Sequence, residues 1–190
     1  MTKAELYNIL IDNGWTIRKG IDDCAYKQLS DRQIQLIPNI KKLIDKYKII
    51  MIPGVSTKEF SKIAEYIRHN KKSRRIVHSC IINSIFDGGI EQGIDVKVPT
   101  RQIVEDYLQK IETWAQQQDI EAGLQKYREL PTDSKGTYPV YHLASLAIAG
   151  QTTQLAEYLE NFKQGNRMGF VPYIKQDYIE RALEEAKKHQ

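Results

Sequence analysis

The period of the hydrophobic pattern changes along this chain, and that change limits the folds open to it. Between Trp15 and Val55, apolar and polar residues alternate, as they do in strands that bury one face. From Thr100 onward, apolar residues recur every three or four positions, the period of amphipathic helices. Helical spacing also precedes the alternating segment, at Lys3–Asn13, and follows it, at 56–70. We therefore predict an α+β protein, with a small N-terminal antiparallel sheet flanked by helices and a C-terminal array of antiparallel helical hairpins.

The same change of period suggests a domain organisation. We expect an α+β subdomain at residues 1–98 and an all-helical subdomain at residues 99–190, packed together as one compact unit. Gly88, Gly89 and Gly93 make the connector between them flexible, and it ends at Pro99. A chain of 190 residues is long enough for either one generous domain or two small ones.

An internal echo favours a β-hairpin in the first half. The sequence IQLIPNI at residues 34–40 recurs as IIMIPGV at residues 49–55. A two-residue turn at Asp45 and Lys46 would place Pro38 opposite Pro53, where pairing breaks because proline has no N–H to donate. The alternative is a short helix over Asn39–Tyr47, whose apolar residues also fit helical spacing. Residues 76–86 are likewise open to both helix and strand.

Positive charge is concentrated in one part of the chain. The net charge is +4, and residues 41–75 contain 11 basic and 3 acidic residues. Lys71, Lys72, Arg74 and Arg75 are the densest run and form a candidate anion-binding site. No aromatic residue is interleaved with this run, so it lacks the stacking platform of single-strand nucleic-acid binders. The alternative is a solvated helix end.

The segment His78-Ser79-Cys80 is the one place where a histidine lies beside a thiol. A nucleophilic cysteine needs a base or a positive field to lower its pKa. Because residues two apart point away from each other on a helix, and Cys80 lies among isoleucines, we interpret it as a structural thiol in the core. Two cysteines, Cys24 and Cys80, are too few for a disulfide framework, which indicates a reducing compartment, the cytoplasm.

The remaining patterns point away from catalysis and cofactors. The four histidines are too far apart in sequence for a zinc motif. Asp87-Gly88-Gly89 lacks the lysine and hydroxyl residue of a phosphate-binding loop. No apolar run approaches the roughly 18 residues that a membrane span needs. We therefore predict no catalytic residues, no metal, no cofactor and no membrane contact.

One loop is rich in residues typical of interfaces. Residues 165–173 combine two glycines and a proline with Arg167, Met168, Phe170 and Tyr173. Aromatic residues, methionine and arginine are enriched at protein–protein interfaces, so we predict that these four side chains bind a partner. The alternative is that Phe170 and Tyr173 fold back into the helical core.

A short segment resembles the opening of one ankyrin repeat. It comprises residues 136–144, GTYPVYHLA, followed by Gly150. An extra residue interrupts its start, the distance from His142 to Gly150 is too long, and the chain has no second copy. We carry over neither the fold nor the function of that family.

These patterns together predict a non-enzymatic cytosolic protein that acts by binding another protein. Its expected concrete form is an immunity protein that occludes a toxin. The second hypothesis is a nucleic-acid-associated or regulatory protein that uses residues 41–75. The third is an enzyme whose site is assembled only by folding, around His78 and Cys80.

Overall fold

The computed structural model of the chain describes residues 1–20, 23–69 and 79–189, which form two compact units. The first unit comprises Met1–Thr57 and Cys80–Gln118, and the second comprises Lys58–Ser79 and Asp119–Gln190. These units are groups of residues in mutual contact. The boundary predicted between residues 98 and 99 divides the chain by secondary structure instead, and it stays a prediction.

Within the described residues, the first unit contains a six-stranded antiparallel sheet. The strand order is β1-β2-β3-β4-β5, and β6 also pairs with β4. The strands are β1 (Thr16–Arg18), β2 (Cys24–Gln28), β3 (Gln33–Lys42), β4 (Tyr47–Ser56), β5 (Ile82–Asn83) and β6 (Gly93–Val96). The predicted α+β class, with its N-terminal antiparallel sheet, is confirmed.

Strands β3 and β4 form a long hairpin, which confirms the hairpin and excludes the helical alternative. Lys42 pairs with Tyr47, so the turn contains four residues. It is closed by a hydrogen bond of 2.8 Å from the Leu43 N–H to the Lys46 carbonyl. The predicted two-residue turn is therefore wrong, and every facing pair is shifted from the predicted one by two residues.

The prolines of the hairpin do not face each other as predicted. Pro38 faces Met51, and Pro53 faces Leu36. The Met51 N–H points away from β3, because it donates to the Gln92 carbonyl at 2.9 Å. In an antiparallel ladder, two facing residues that do not hydrogen-bond to each other both point their backbone nitrogens away from their partner strand. The Pro38 nitrogen therefore points toward the side of β2, which stops pairing with β3 at Leu36. Pro53 lies in β4 between the residues that pair with β5 and those that pair with β6, so its nitrogen also faces no strand. Both prolines thus occupy positions where the ladder needs no N–H donor.

Strand alternation gives the sheet an inner face and an outer face. The inner face carries fully buried apolar side chains: Ile34, Leu36, Ile49, Met51 and Val55. Helices α1 (Lys3–Asp12) and α4 (Arg101–Gln117) contact the sheet and each other. Lys27, which also lies on the inner face, forms an ion pair of 2.7 Å with Glu112 of α4. Helix α4 therefore covers the inner face, where the core of this unit lies.

The helices of the first unit begin where the sequence predicts. The Thr2 hydroxyl accepts the Glu5 N–H at 3.2 Å, and the Glu5 carboxylate accepts the Thr2 N–H at 2.6 Å. These two bonds form a capping box, which satisfies two orphan donors of α1. The Thr100 hydroxyl caps α4 in the same position by accepting the Ile103 N–H at 3.3 Å.

The segment that the sequence left open is partly described. From Ser79 onward it contains β5 and then α3 (Ser84–Asp87), so it is neither one strand nor one helix. The Asn83 side chain accepts the Ile85 N–H at 2.9 Å and caps the short helix. Residues 76–78 lie outside the described residues.

The second unit is helical in its described residues. Its helices are α2 (Lys58–His69), α5 (Ile120–Arg128), α6 (Tyr138–Ile148), α7 (Thr152–Lys163) and α8 (Gln176–Ala186). Helix α6 is almost entirely buried and contacts the other four. The buried Arg181 guanidinium donates to the Ile67 carbonyl in the last turn of α2, and this satisfies an acceptor that a helix end leaves free. Gln151 is the cap residue of α7, and its side chain makes no capping hydrogen bond.

No helix among residues 1–20, 23–69 and 79–189 is long and apolar enough to cross a membrane.

Close packing at one strand position gives a test of the first unit. A Cβ atom on Gly54 would collide with the Cys80 Sγ atom and lie 3.3 Å from Gln35 Nε2. Gly54→Ala should therefore lower the free energy of unfolding by about 1–3 kcal/mol through overpacking. Cys80→Ala alone should cost about 1 kcal/mol through a small cavity.

The double variant separates this clash from a general loss of packing. Because the Cys80→Ala substitution removes the Sγ atom, Gly54→Ala combined with it should lose clearly less stability than the two single variants added together. Urea denaturation of the four proteins measures this difference. Additive losses would show that the two side chains do not collide.

Candidate functional site

Two of the sites predicted from the sequence, the basic run and the His78–Cys80 pair, lie wholly or partly outside the described residues. Lys71, Lys72, Arg74 and Arg75 lie outside the described residues, and so does His78. The anion-binding role of the basic run and the pairing of His78 with Cys80 therefore stay predictions.

Cys80 itself is described, and its surroundings oppose reactivity. Its side chain is buried, and the Gln35 amide donates to the Sγ atom. Burial raises the pKa of the Cys80 thiol to about 12. The thiolate is the reactive form of cysteine, so at neutral pH Cys80 is held as an unreactive thiol.

Acidic, histidine and cysteine side chains do not converge elsewhere in the described part of the chain. No group of three or more of them there has the arrangement that could hold a metal ion. The absence of a metal and of a cofactor remains a prediction from the sequence.

The predicted partner-binding loop follows α7, and its own hydrogen bonds hold it in shape. The Arg167 guanidinium donates to the Val171 carbonyl at 2.7 Å and to the Ile174 carbonyl at 2.6 Å. The Thr132 hydroxyl donates to the Met168 carbonyl at 2.5 Å. Met168 has a φ of 50°, a left-handed conformation that costs energy for a residue with a Cβ atom. These bonds offset that cost and fix the loop in one conformation.

Phe170 anchors the loop in the core of the second unit. Only 3% of its surface is exposed. Its ring lies 5.3 Å from the ring of Tyr158 and 5.7 Å from that of Phe162, both with edge-to-face geometry. Such pairs add to the energy of simple burial. In this conformation the Phe170 ring is covered by its own chain, as the core interpretation of the loop requires.

A buried histidine supports the aromatic rings beneath the loop. His142 Nδ1 lies 2.9 Å from the Tyr127 carbonyl, and Nε2 lies 3.2 Å from the Tyr158 hydroxyl. Because a carbonyl can only accept, Nδ1 carries the proton and Nε2 accepts from Tyr158. Burial lowers the pKa of His142, although its backbone hydrogen bonds oppose this shift. The imidazole is therefore neutral in the folded protein.

Tyr173 is the outward-facing part of the same loop. Its side chain is 42% exposed, and its hydroxyl donates to the Gly136 carbonyl, just before α6. Burial of part of the ring raises the pKa of the Tyr173 phenol, while the positive charge of Arg68 opposes the shift. The phenol thus stays neutral, and Arg68 lies close enough to act on it.

A second exposed tyrosine lies at the start of α6. Tyr138 is 37% exposed, and its ring is 6.2 Å from Tyr127 and 6.4 Å from Tyr141. Behind it, the Tyr127 ring stacks on the buried Phe60 ring at 5.8 Å. We call the two exposed rings, Tyr138 and Tyr173, the tyrosine surface.

This geometry places the residues of the predicted loop without testing their binding role. The structure brings Tyr173 to the surface, buries Phe170 and uses Arg167 to brace the loop. Tyr138 was missed by the sequence analysis, which named no binding residue in α6. One signal was present: the chain has 11 tyrosines but only 4 phenylalanines, and tyrosine needs water or a partner for its hydroxyl. The binding role of the four loop residues stays a prediction.

Removing the Phe170 ring should unfold the loop from its base. Phe170→Ala should lower the free energy of unfolding by roughly 3–5 kcal/mol, because it leaves a cavity among aromatic rings. Phe170→Leu refills most of that space and should cost clearly less. Chemical denaturation checks both variants, and an alanine variant as stable as wild type would show that the ring is not part of the core.

The buried His142 should make stability sensitive to acid. Its pKa is lowered in the folded state, so the unfolded chain binds a proton at higher pH than the folded chain does. This contribution to stability is complete above the ordinary value of 6.5 and is lost as the pH falls below it. Urea midpoints measured on both sides of that value should show the loss, and His142→Gln should reduce it. An unchanged pH dependence in the variant would contradict this assignment.

Comparison with known families gives an assignment but no activity. The family model of DUF6990, a family of unknown function, matches residues 2–187, nearly the whole chain. No curated protein and no solved structure matches the chain. The protein described here therefore belongs to the DUF6990 family of unknown function.

Proposed function

We propose that this protein acts by binding another protein through the tyrosine surface of its second unit. The observation that carries the proposal is the pair Tyr138 and Tyr173. Both are more than a third exposed, although a tyrosine ring can bury a large apolar area when it is covered.

The chemistry of this surface suits a protein partner. Interface energy is concentrated in a few tyrosine, tryptophan and arginine side chains. Tyrosine offers a large rigid contact area together with a hydroxyl, and it loses little conformational freedom on binding. Arg68, which acts on the Tyr173 phenol, adds a cation at the same place.

The surface is also held in position before any partner arrives. Tyr138 is backed by Tyr127 and Tyr141, whose rings are 5.3 Å apart. Tyr173 is positioned by its hydroxyl bond and by the Arg167 bonds at the base of its loop. Ordering side chains on binding costs free energy, and a surface that is already ordered avoids much of this cost.

The concrete form of the proposal is an immunity protein that occludes a toxin. Occlusion needs a tight and specific complex, and a preordered aromatic surface favours both. In this form, the partner would cover the tyrosine surface, and the protein would contribute no chemistry of its own.

A double variant tests the proposed surface. Tyr138→Ala with Tyr173→Ala should weaken a partner that co-purifies with the wild-type protein by roughly 2 kcal/mol or more, about thirtyfold in Kd. The double variant should lose clearly less stability than Phe170→Ala, because both rings are only partly buried. Isothermal titration calorimetry measures the affinity, and the product of the neighbouring gene is the first partner to test.

Tyr66→Ala is the matched control for this experiment. Tyr66 belongs to the same unit and is also partly exposed, but its hydroxyl donates to Glu184, away from the tyrosine surface. It should bind the partner as wild type does. Full affinity in the double variant, or an equal loss in the control, would contradict the proposed surface.

A further inference from the structure

Cys80 covers the outer face of the sheet at Gln35 and Gly54, and the neighbouring part of this face is more apolar than a solvated sheet face needs to be. Cross-strand pairing puts Tyr26, Ile37, Ile50 and Ile52 together on this face, opposite the buried core. Ile37 is 41% exposed, and the other three are partly exposed. A solvated face of an antiparallel sheet normally carries polar residues at these positions.

Basic side chains surround these apolar residues. Lys41 and Lys48 face each other across β3 and β4, and both are exposed. Two like charges directly opposite each other destabilise a sheet. Arg18, on the same face, lies over the Tyr26 ring at 5.5 Å.

Among the paired positions of this face, Asp95 is the one acidic residue, and it does little to offset the two lysines. Asp95 is the cross-strand neighbour of Lys48. Its carboxylate is already ion-paired with Lys46 at 2.7 Å. The outer face thus combines an apolar centre with an excess of positive charge.

An extended peptide added to the edge of β3 would not suit this region. Pro38 has no N–H to offer on that edge, and the Asn39 side chain already accepts the Ile40 N–H at 2.9 Å. Edges protected in this way resist pairing with another strand. A partner would therefore lie on the face and not along the edge.

Two other occupants fit less well. A second copy of the chain, packed face to face, would bring the lysines of the two copies together. A single-stranded nucleic acid would need several aromatic rings for stacking, and Tyr26 is the one aromatic residue among the paired positions of this face.

We propose that the outer face binds an acidic amphipathic helix of a partner protein. The apolar side of the helix would cover Ile37, Ile50 and Ile52, and its carboxylates would meet Lys41 and Lys48. Strands lie about 4.8 Å apart, so β2, β3 and β4 together span about 10 Å, the width of a helix. This site lies in the first unit and does not depend on the tyrosine surface.

The probe is a synthetic acidic peptide of about 15 residues with leucines at helical spacing. A scrambled peptide of the same composition keeps the charge but loses the amphipathic face. In the full-length protein, the first peptide should shift the backbone amide NMR signals of β3 and β4 at Ile37, Ile50 and Ile52, and the scrambled peptide should not. Equal binding by both peptides, or shifts confined to other residues, would overturn the proposal, as would tight binding of oligothymidylate that displaces the acidic peptide.

Charge reversal tests the role of the two exposed lysines beside the apolar residues of the outer face. Lys41→Glu with Lys48→Glu should weaken the acidic peptide by at least about tenfold, since two attractions become repulsions. Lys48→Glu also places a carboxylate opposite Asp95, so the variant should lose some stability, by about 1 kcal/mol or less, and its amide NMR spectrum must show that it is folded.

Lys42→Glu with Lys110→Glu is the control, because it changes the charge equally at two exposed lysines away from the outer face. It should bind the peptide within about twofold of wild type. The variant of Tyr138 and Tyr173 should also bind normally, which separates this site from the proposed function. An equal loss of peptide affinity in the control would show that only the net charge of the protein matters, and it would overturn the proposal.

Discussion

The register of the β3–β4 hairpin is the constraint on which the first unit depends. A four-residue turn fixes it, and the register then decides which residues meet across the sheet. It pairs Gln35 with Gly54, which brings both to the Cys80 thiol, and it pairs Ile37 with Ile52 on the outer face. Both prolines also depend on it, because a shift by one residue would turn their nitrogens toward a partner strand that needs a donor.

This constraint explains how much of the sheet could be predicted. Alternation along β3 and β4 identified the hairpin, although the turn was two residues too short. Side chains repeat every two residues along a strand, so an error of two residues preserves the face of every side chain and changes only its neighbours. The buried and exposed faces could therefore be read from the sequence, whereas the contact of Gly54 with Cys80 could not. That contact joins residues far apart in the chain, and no local pattern encodes it.

The second unit shows a different limit. Helical spacing is a local property, so the helical character of this unit could be predicted from residues 56–70 and from the residues after Thr100. The role of a single aromatic residue is not local. Phe170 and Tyr173 are both aromatic and lie three residues apart in one loop, yet Phe170 is buried and Tyr173 is exposed. The difference follows from the aromatic rings contributed by α6 and α7, and helical periodicity says nothing about where a loop residue meets them.

The two units differ in the apolar groups that they expose and in what surrounds them. In the second unit, the exposed rings of Tyr138 and Tyr173 carry hydroxyls. The Tyr138 ring packs against further rings, and the Tyr173 hydroxyl donates to a backbone carbonyl. In the first unit, partly exposed isoleucines lie on the outer sheet face beside the part that Cys80 covers. Lysines and a protected edge of β3 oppose the pairing of this region with other strands. Lysine on such a face discourages self-association because two copies would repel each other, yet the same lysines attract an acidic partner. A feature that prevents aggregation can in this way also select the partner.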